Sequence, residues 1–459
     1  MLETTSKLRP PAPVPRAKSL GPIALFRVLA SNPLEAWTEA HFEQPIVLGG
    51  LSIGRVAVVS EPTAIRRVLL ENAQNYQKDW LQRRVLSAGL TNGLLTAESA
   101  QWRTQRRLLA PLFARRSVMS FTAAMSEAAA ALVERLRLRE NEVVDLAVEV
   151  TRLTLDVLER TIFSDGLGRN REDIRIGMKT YFEAVGRIDP FDILGVPSIV
   201  PRPSRWKIQP TLRFFETAVD TIISTRRQRI ADDPCSAPQD ILTLLLEAKD
   251  PETSETLSEA EVRANILTFI AAGHETTANS ITWSLFLLSQ SAEWRERLQA
   301  EADKELDEGI DGVADRLTET RAVIDESNRL YPPIGAISRA AIGPDELAGQ
   351  PIKRGMMIVI AQYVLHRHRA LWRDPDAFDP NRFLNGARDK IDRFAYLPFG
   401  AGPRICIGQA FALQEASIVL ATLMRNFNLE LMPGHTVWPV QKVTLRPKDG
   451  LPMIVRRRP

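Results

Sequence analysis

The stretch from Ser258 to Gln290 constrains this chain more than any other. Ser258 and Glu261 have the spacing of a capping box, in which each side chain satisfies a backbone N–H of the other at a helix start. After them Val262, Ile266, Leu267, Phe269, Ile270, Ile281, Trp283, Leu285 and Leu287 keep the chain apolar. That pattern predicts a long core helix, and such a helix needs a large body of other elements to cover it. With 459 residues and 44% apolar content the chain can build that body. Apolar residues at three- and four-residue spacing predict further helices through 118–137, 146–163 and 211–231. Strand-like alternation is confined to Ile46–Leu48, Arg55–Val59, Met357–Ile360 and Pro452–Val455, near the two ends of the chain. The expected fold is therefore mainly α with a small β region (α+β), its small sheet built from both termini. Neither an internal repeat nor a low-complexity linker divides the sequence, so one domain over residues 1–459 is expected, with about 1–30 as an irregular, proline-rich arm.

Charge and cysteine usage exclude several functions. Fifty-nine basic residues face 56 acidic ones, a balance that argues against bulk nucleic-acid binding. The two cysteines, Cys235 and Cys406, provide no disulfide framework, which makes a reducing cytoplasm the expected compartment. The apolar patch Ile23–Ala30 is interrupted by Arg27 and is too short to span a bilayer, so no transmembrane anchor is expected there. Two loops are candidates to cover the entrance to a buried site. One runs from Asp189 to Pro210 with five prolines, the other from about Gln74 to Asn92 with Tyr76, Trp80 and several arginines.

Two constellations carry chemistry. In the middle of the long apolar helix lies Ala272-Gly273-His274-Glu275-Thr276-Thr277, where charge and hydroxyls are costly unless hydrogen-bonded or functional. Gly273 weakens the helix, and Thr276 can bond a carbonyl one turn back, so a bend or widened turn is expected. A zinc-peptidase His-Glu-x-x-His motif is excluded, because the second histidine would fall on Ala278. The second constellation is Phe399-Gly400-Ala401-Gly402-Pro403-Arg404-Ile405-Cys406-Ile407-Gly408. Its glycines permit a tight turn and close approach of backbone to a flat partner. The run Ala410-Phe411-Ala412-Leu413 then begins a helix whose N-terminal end favours an anionic sulfur. A thiolate presented in this way suits a metal.

The cysteine frame resembles the haem-binding loop of the cytochrome P-450 superfamily, and four further segments resemble that family's motifs in the family's order. The resemblance implies a haem b cofactor, with the iron ligated by Cys406 and the loop formed by Phe399, Arg404 and Gly408. Ala272 and Gly273 would lie along the macrocycle, with Glu275 as the acid and Thr276 as the alcohol that manage protons. Glu326-Ser327-Asn328-Arg329 is similar to the family's Glu-x-x-Arg motif, and Arg382 in Pro380-Asn381-Arg382-Phe383 matches its third partner. Trp102 and Arg106 have the spacing of the Trp-x-x-x-Arg helix and, with Arg339 and Arg404, would hold the haem propionates. Arg103 and Arg107 are expected to be solvated.

Monooxygenation needs electrons, ultimately from NAD(P)H, yet neither a Rossmann fingerprint nor an iron–sulfur cysteine set is present, and 53 residues follow Cys406. No fused reductase domain is expected; the resemblance implies a separate ferredoxin or flavodoxin with its reductase. Arg103, Arg107, Arg115 and Arg116 are candidates for a basic docking face, with a merely solvated surface as the alternative. The expected protein is a monomeric haem-thiolate monooxygenase acting with O2 on a small apolar substrate. A peroxygenase or haem isomerase, or a non-catalytic haem sensor, is the alternative. His366 and His368 form a His-x-His pair without a third ligand and are expected to pack; His41 and His435 carry no interpretable signal.

Overall fold

The computed structural model describes residues 7–51, 54–86, 90, 92–164 and 209–458. The proline-rich connection expected from Asp189 to Pro210 falls almost wholly outside them. The helices that matter below are α1 (Pro22–Ser31), α2 (Ser99–Leu109), α3 (Thr122–Arg137), α4 (Leu146–Phe163), α5 (Gln209–Asp232), α6 (Glu259–Ser289), α7 (Ala292–Asp307), α8 (Thr318–Leu330), α9 (Gln362–Leu365) and α10 (Gln409–Asn426). Each periodic segment read from the sequence is helical, within a few residues at its ends. The N-terminal arm differs from expectation, because Pro22–Ser31 is helical. Pro22 sits in the first turn, where its missing N–H costs nothing.

The chain forms two compact units. One comprises residues 1–79, 125–153 and 276–459, the other 80–124 and 154–275, so the division falls inside α6 between Glu275 and Thr276. Among the described residues the first unit holds every strand, including two small hairpins, β6 (Asp345–Leu347) with β7 (Gln350–Ile352) and β10 (Pro439–Gln441) with β11 (Leu445–Pro447). β1 (Ile46–Leu51) and β2 (Gly54–Val59) form a hairpin; β2 runs parallel to β8 (Met357–Ile360), which is antiparallel to β5 (Ile337–Ala341), which pairs with β3 (Tyr76–Gln77). Ala57 and Val59 of β2 and Ile358 and Ile360 of β8 pack with Ile65 and Val68 in one apolar cluster. Of the four strand candidates, Pro452–Val455 does not join this sheet. It lies in β12 (Pro452–Arg457), between β4 (Val143–Asp145) and β9 (Phe427–Leu431). Alternation leaves the choice of partner open, and β9 precedes β12 closely.

The first unit also fixes α8. The Glu301 carboxylate on α7 accepts from the Glu319 and Thr320 N–H groups at 2.7 and 2.8 Å, satisfying orphan donors at the N-terminus of α8. At its other end Tyr331 stacks on Trp283 of α6 at 3.9 Å, and Pro332-Pro333 end the helix. In the second unit the Ser258–Glu261 capping box forms as expected, with Ser258 N–H donating to Glu261 at 3.1 Å. Asn265 accepts from the Leu94 N–H at 2.8 Å. At Gly93 a Cβ would lie 2.6 Å from the Ala264 carbonyl oxygen, so only glycine lets the segment pass this close to α6.

Candidate active site

In the first unit the loop before α10 is built around two glycines. Gly400 (φ +73°) and Gly402 (φ +72°) lie in the left-handed region, and the Leu69 carbonyl stands where a Gly402 Cβ would go, its carbon 2.7 Å away. Gly408 does not share that conformation. A Cβ there would lie 4.0 Å from Cys406 Sγ, so its smallness keeps the flank of the sulfur open. The Cys406 N–H donates to the Phe399 carbonyl at 2.9 Å, closing the loop. Arg404, half-buried, sits in the short turn Gly402–Arg404. Free cysteines are usually buried, yet Cys406 is exposed, and it stands three residues before α10, whose dipole favours a thiolate.

The segment 366–382, upstream of the loop, is anchored by an ion pair with no solvent contact. Arg329 donates from Nε and Nη2 to Glu326 at 2.6 and 2.8 Å, and both side chains are 0% exposed. Its remaining N–H groups donate to the carbonyls of His366 (2.8 Å), Pro375 (2.7 Å) and Ala377 (2.9 Å). Glu326 also accepts from the Asp379 N–H at 2.8 Å and lies 3.5 Å from Arg382 Nε. The network expected from Glu326, Arg329 and Arg382 is thus assembled. Arg339 lies on β5, its Nη1 donating to the Ser338 carbonyl at 2.8 Å. One position beyond the Gln77↔Ala340 pair come Lys78 and Asp79, both buried; Asp79 accepts from Ser338 Oγ at 2.5 Å. This pair beside Arg339 was missed from sequence, although a Lys-Asp dipeptide next to an alternating strand is a usable signal. Thr276 begins this unit's share of α6 and is half-buried, followed by buried Thr277 and Ala278.

In the second unit Trp102 and Arg106, both half-buried, stand one turn apart on α2, while Gln105, Leu108 and Leu109 are buried. Arg107 corrects the expectation of a solvated cation. It donates to the buried Asp250 carboxylate at 2.6 Å and to Glu252 at 2.5 Å, and Arg107 in turn holds the Asp250 carboxyl below its usual range. Arg103 is exposed, as expected. In the notch of α6, Ala272 is exposed and Gly273 and Glu275 are half-buried. His274 turns inward; its Nδ1–H donates to the Ile270 carbonyl at 3.0 Å, and burial pushes its pKa down, so the ring is neutral. The Thr154 hydroxyl of α4 donates to the His274 carbonyl at 3.0 Å, and a Cβ on Gly273 would lie 3.3 Å from Leu158 Cδ2. No widened turn appears, because α6 is unbroken α-helix through the notch. Thr154 meets the His274 carbonyl from outside, so the helix need not open to satisfy it.

His366 and His368 are buried, His368 Nε2 lying 3.2 Å from the Gln44 carbonyl, which matches the expectation that they pack. Among the described residues no group of His, Cys, Asp and Glu is placed to hold a metal ion by itself. No described helix is long and apolar enough to cross a membrane.

A family model, cytochrome P450, matches the chain over residues 11–453. The chain belongs to the cytochrome P450 family. It is similar to cyclooctat-9-en-7-ol 5-monooxygenase of Streptomyces melanosporofaciens, 31% identical over 418 residues that cover 90% of this chain and 88% of that one. Cytokinin hydroxylase of Arabidopsis thaliana is 30% identical over 437 residues, 92% and 82% of the two chains. Among solved structures, the haem domain of cytochrome P450DA superposes with a TM-score of 0.83 at 25% identity, covering 98% of this chain and 99% of that one. The protein has the P450 fold and is a P450 monooxygenase, and the family implies haem b, O2 and dependence on redox partners. The donor set fits that cofactor: an exposed thiol at a helix start, with no group of three or more His, Cys, Asp and Glu placed to hold a metal ion among the described residues.

Proposed function

We propose that Cys406 supplies the axial thiolate of haem b and that the enzyme uses O2 to hydroxylate or otherwise oxidise a small apolar substrate. The observation that carries this reading is the exposed Cys406 thiol, held by the Gly400–Gly402 loop at the start of α10. Haem bound through a thiolate supplies O2 activation, the sulfur pushing electron density toward the O–O bond. Phe399, Arg404 and Gly408 would flank the sulfur, and the small residues Ala272 and Gly273 leave room for a flat ring. Trp102, Arg106, Arg339 and Arg404 would pair with the propionates.

Thr276 Oγ1 would hold a water in the notch, and the Glu275 carboxylate would return protons to it from solvent. Electrons would come from NAD(P)H through a ferredoxin or flavodoxin with its reductase, and the protein would work as a cytoplasmic monomer. Arg107 is engaged by Asp250 and Glu252, and Arg103, Arg115 and Arg116 remain the candidates to recognise an acidic donor. An apolar substrate is consistent with a relative named for an unsaturated alcohol, cyclooctat-9-en-7-ol.

The test is turnover with a donor pair on an apolar substrate panel, product and hydrogen peroxide measured together. Thr276→Ala should keep haem content and divert about nine-tenths of the electrons to peroxide, as a general acid contributes about 10²-fold or more. Unchanged coupling in Thr276→Ala would remove Thr276 from the proton path. A peroxygenase would turn over equally well with peroxide and no donor.

A further inference from the structure

The His-Arg-His run that follows α9 has no part in ligating metal, yet His366 is wholly buried and its ring is aimed at the root of the cysteine loop. Its Nε2 accepts the Leu397 N–H at 2.9 Å, two residues before Phe399, whose carbonyl receives the Cys406 N–H. The other half of the same residue is held too. The Leu397 carbonyl accepts from Gln362 Nε2 at 3.2 Å, as well as from the Gly400 N–H at 3.1 Å. Residues 362 and 366 lie one turn apart, so a single short helix with its cap grips both polar groups of Leu397. The main chain of His366 is gripped in turn, its carbonyl accepting from Arg329 Nη1 at 2.8 Å. One residue upstream of Leu397, Tyr396 packs against the His366 ring at 5.1 Å and donates from its hydroxyl to the Asp325 carbonyl at 2.7 Å.

Nε2 can accept only if it carries no hydrogen, which places the hydrogen on Nδ1. Nδ1 has no partner. Burial, and then the positive charges of Arg329 and Arg367, push the His366 pKa down to about 3, so this tautomer persists across the ordinary pH range. A buried donor so poorly satisfied is costly, and a chain that only needed to fill this space would be better served by leucine or methionine. The acceptor on the far side of the ring is what the apolar alternatives lack.

We propose that His366 is a positioning residue for the reaction: by accepting the Leu397 N–H it fixes the root of the Cys406 loop and links the Arg329 anchor to the sulfur. This rests on Cys406 being the haem ligand. Without the acceptor the loop root is free to shift, and the thiolate is more readily protonated and lost from the iron.

The experiment follows the reduced, carbon monoxide-bound spectrum of the haem-loaded protein over time, comparing wild type with H366L, H366Q and H366N. Leucine keeps the volume without an acceptor. Glutamine places an amide oxygen near the Nε2 position, while the shorter asparagine cannot reach. The expected result is decay of the red-shifted thiolate band into the neutral-thiol band about tenfold faster in H366L and H366N, the factor corresponding to one lost hydrogen bond. H366Q should stay within about twofold of wild type, since it keeps that bond. Equal decay in wild type and H366N, or decay in H366Q as fast as in H366N, would overturn the proposal, and these two polar variants decide it if H366L does not fold. Absence of the red-shifted band in wild type itself would instead sink the thiolate assignment, so the two failures are distinguishable.

Discussion

Gly402→Ala isolates the contact on which the cysteine loop is built. Two costs add at this position. The left-handed conformation at φ +72° costs an alanine about 1–2 kcal/mol. The added carbon would then run into the Leu69 carbonyl, whose carbon lies only 2.7 Å from the Cβ position, and overpacking of that kind costs about 1–3 kcal/mol more. Gly434 provides the control, with nearly the same backbone (φ +79°) and nothing within 4 Å of a Cβ. Gly434→Ala should therefore cost only the conformational part, about 1–2 kcal/mol, whereas Gly402→Ala should cost about 2–5 kcal/mol. In a chain of 459 residues each kcal/mol moves Tm by only about 1 °C, so urea unfolding is the better stability assay. The decisive readout is spectral. Gly402→Ala should lose most of its thiolate band, because relief of the clash moves the segment four residues before Cys406, and Gly434→Ala should keep the band intact. If both variants unfold at the same urea concentration with intact thiolate bands, the Leu69 contact does not shape the loop.

Removing Arg329 leaves Glu326 buried without its partner and three carbonyls unpaired, so Arg329→Met should cost about 3–5 kcal/mol, seen as lost soluble haem protein on expression. The folded pKa of His366 lies near 3, below its unfolded value, so the unfolded chain binds the extra proton: stability is full above about pH 6.5 and falls toward pH 3. At about 1.4 kcal/mol per unit that single group accounts for roughly 5 kcal/mol, and His366→Gln should flatten the slope of urea stability between pH 7 and 5 by about one proton. His41, His274 and His368 have pKa values lowered chiefly by burial and should supply the slope that remains. Arg107→Gln should destabilise the second unit by stranding buried Asp250 and leave the apparent affinity for a redox donor unchanged, whereas Arg103→Gln should weaken that affinity; stopped-flow reduction of the haem separates them.

The long helix and the Glu326–Arg329 pair were legible because both express helical spacing, which sequence carries directly. What Arg329 does with its remaining donors was not, since the carbonyls of residues 366, 375 and 377 belong to any backbone and leave no signature. Arg107 and Asp250 lie 143 residues apart, so charge complementarity was present in the sequence but its pairing was not. Gly402 could be read as a turn glycine; that it also clears a path past Leu69 depends on a segment more than 300 residues away. The strands were found, yet Pro452–Arg457 was given the wrong sheet, because alternation marks a strand and says nothing about which edge it will meet.

The central claim, that Cys406 holds haem iron as a thiolate, is tested most directly by the carbon monoxide difference spectrum of the dithionite-reduced, haem-loaded protein beside Cys406→Ser. A strongly red-shifted Soret band in wild type and its loss in the serine variant is the predicted result. The same band surviving in Cys406→Ser, or no haem spectrum after expression with ample haem, would contradict it.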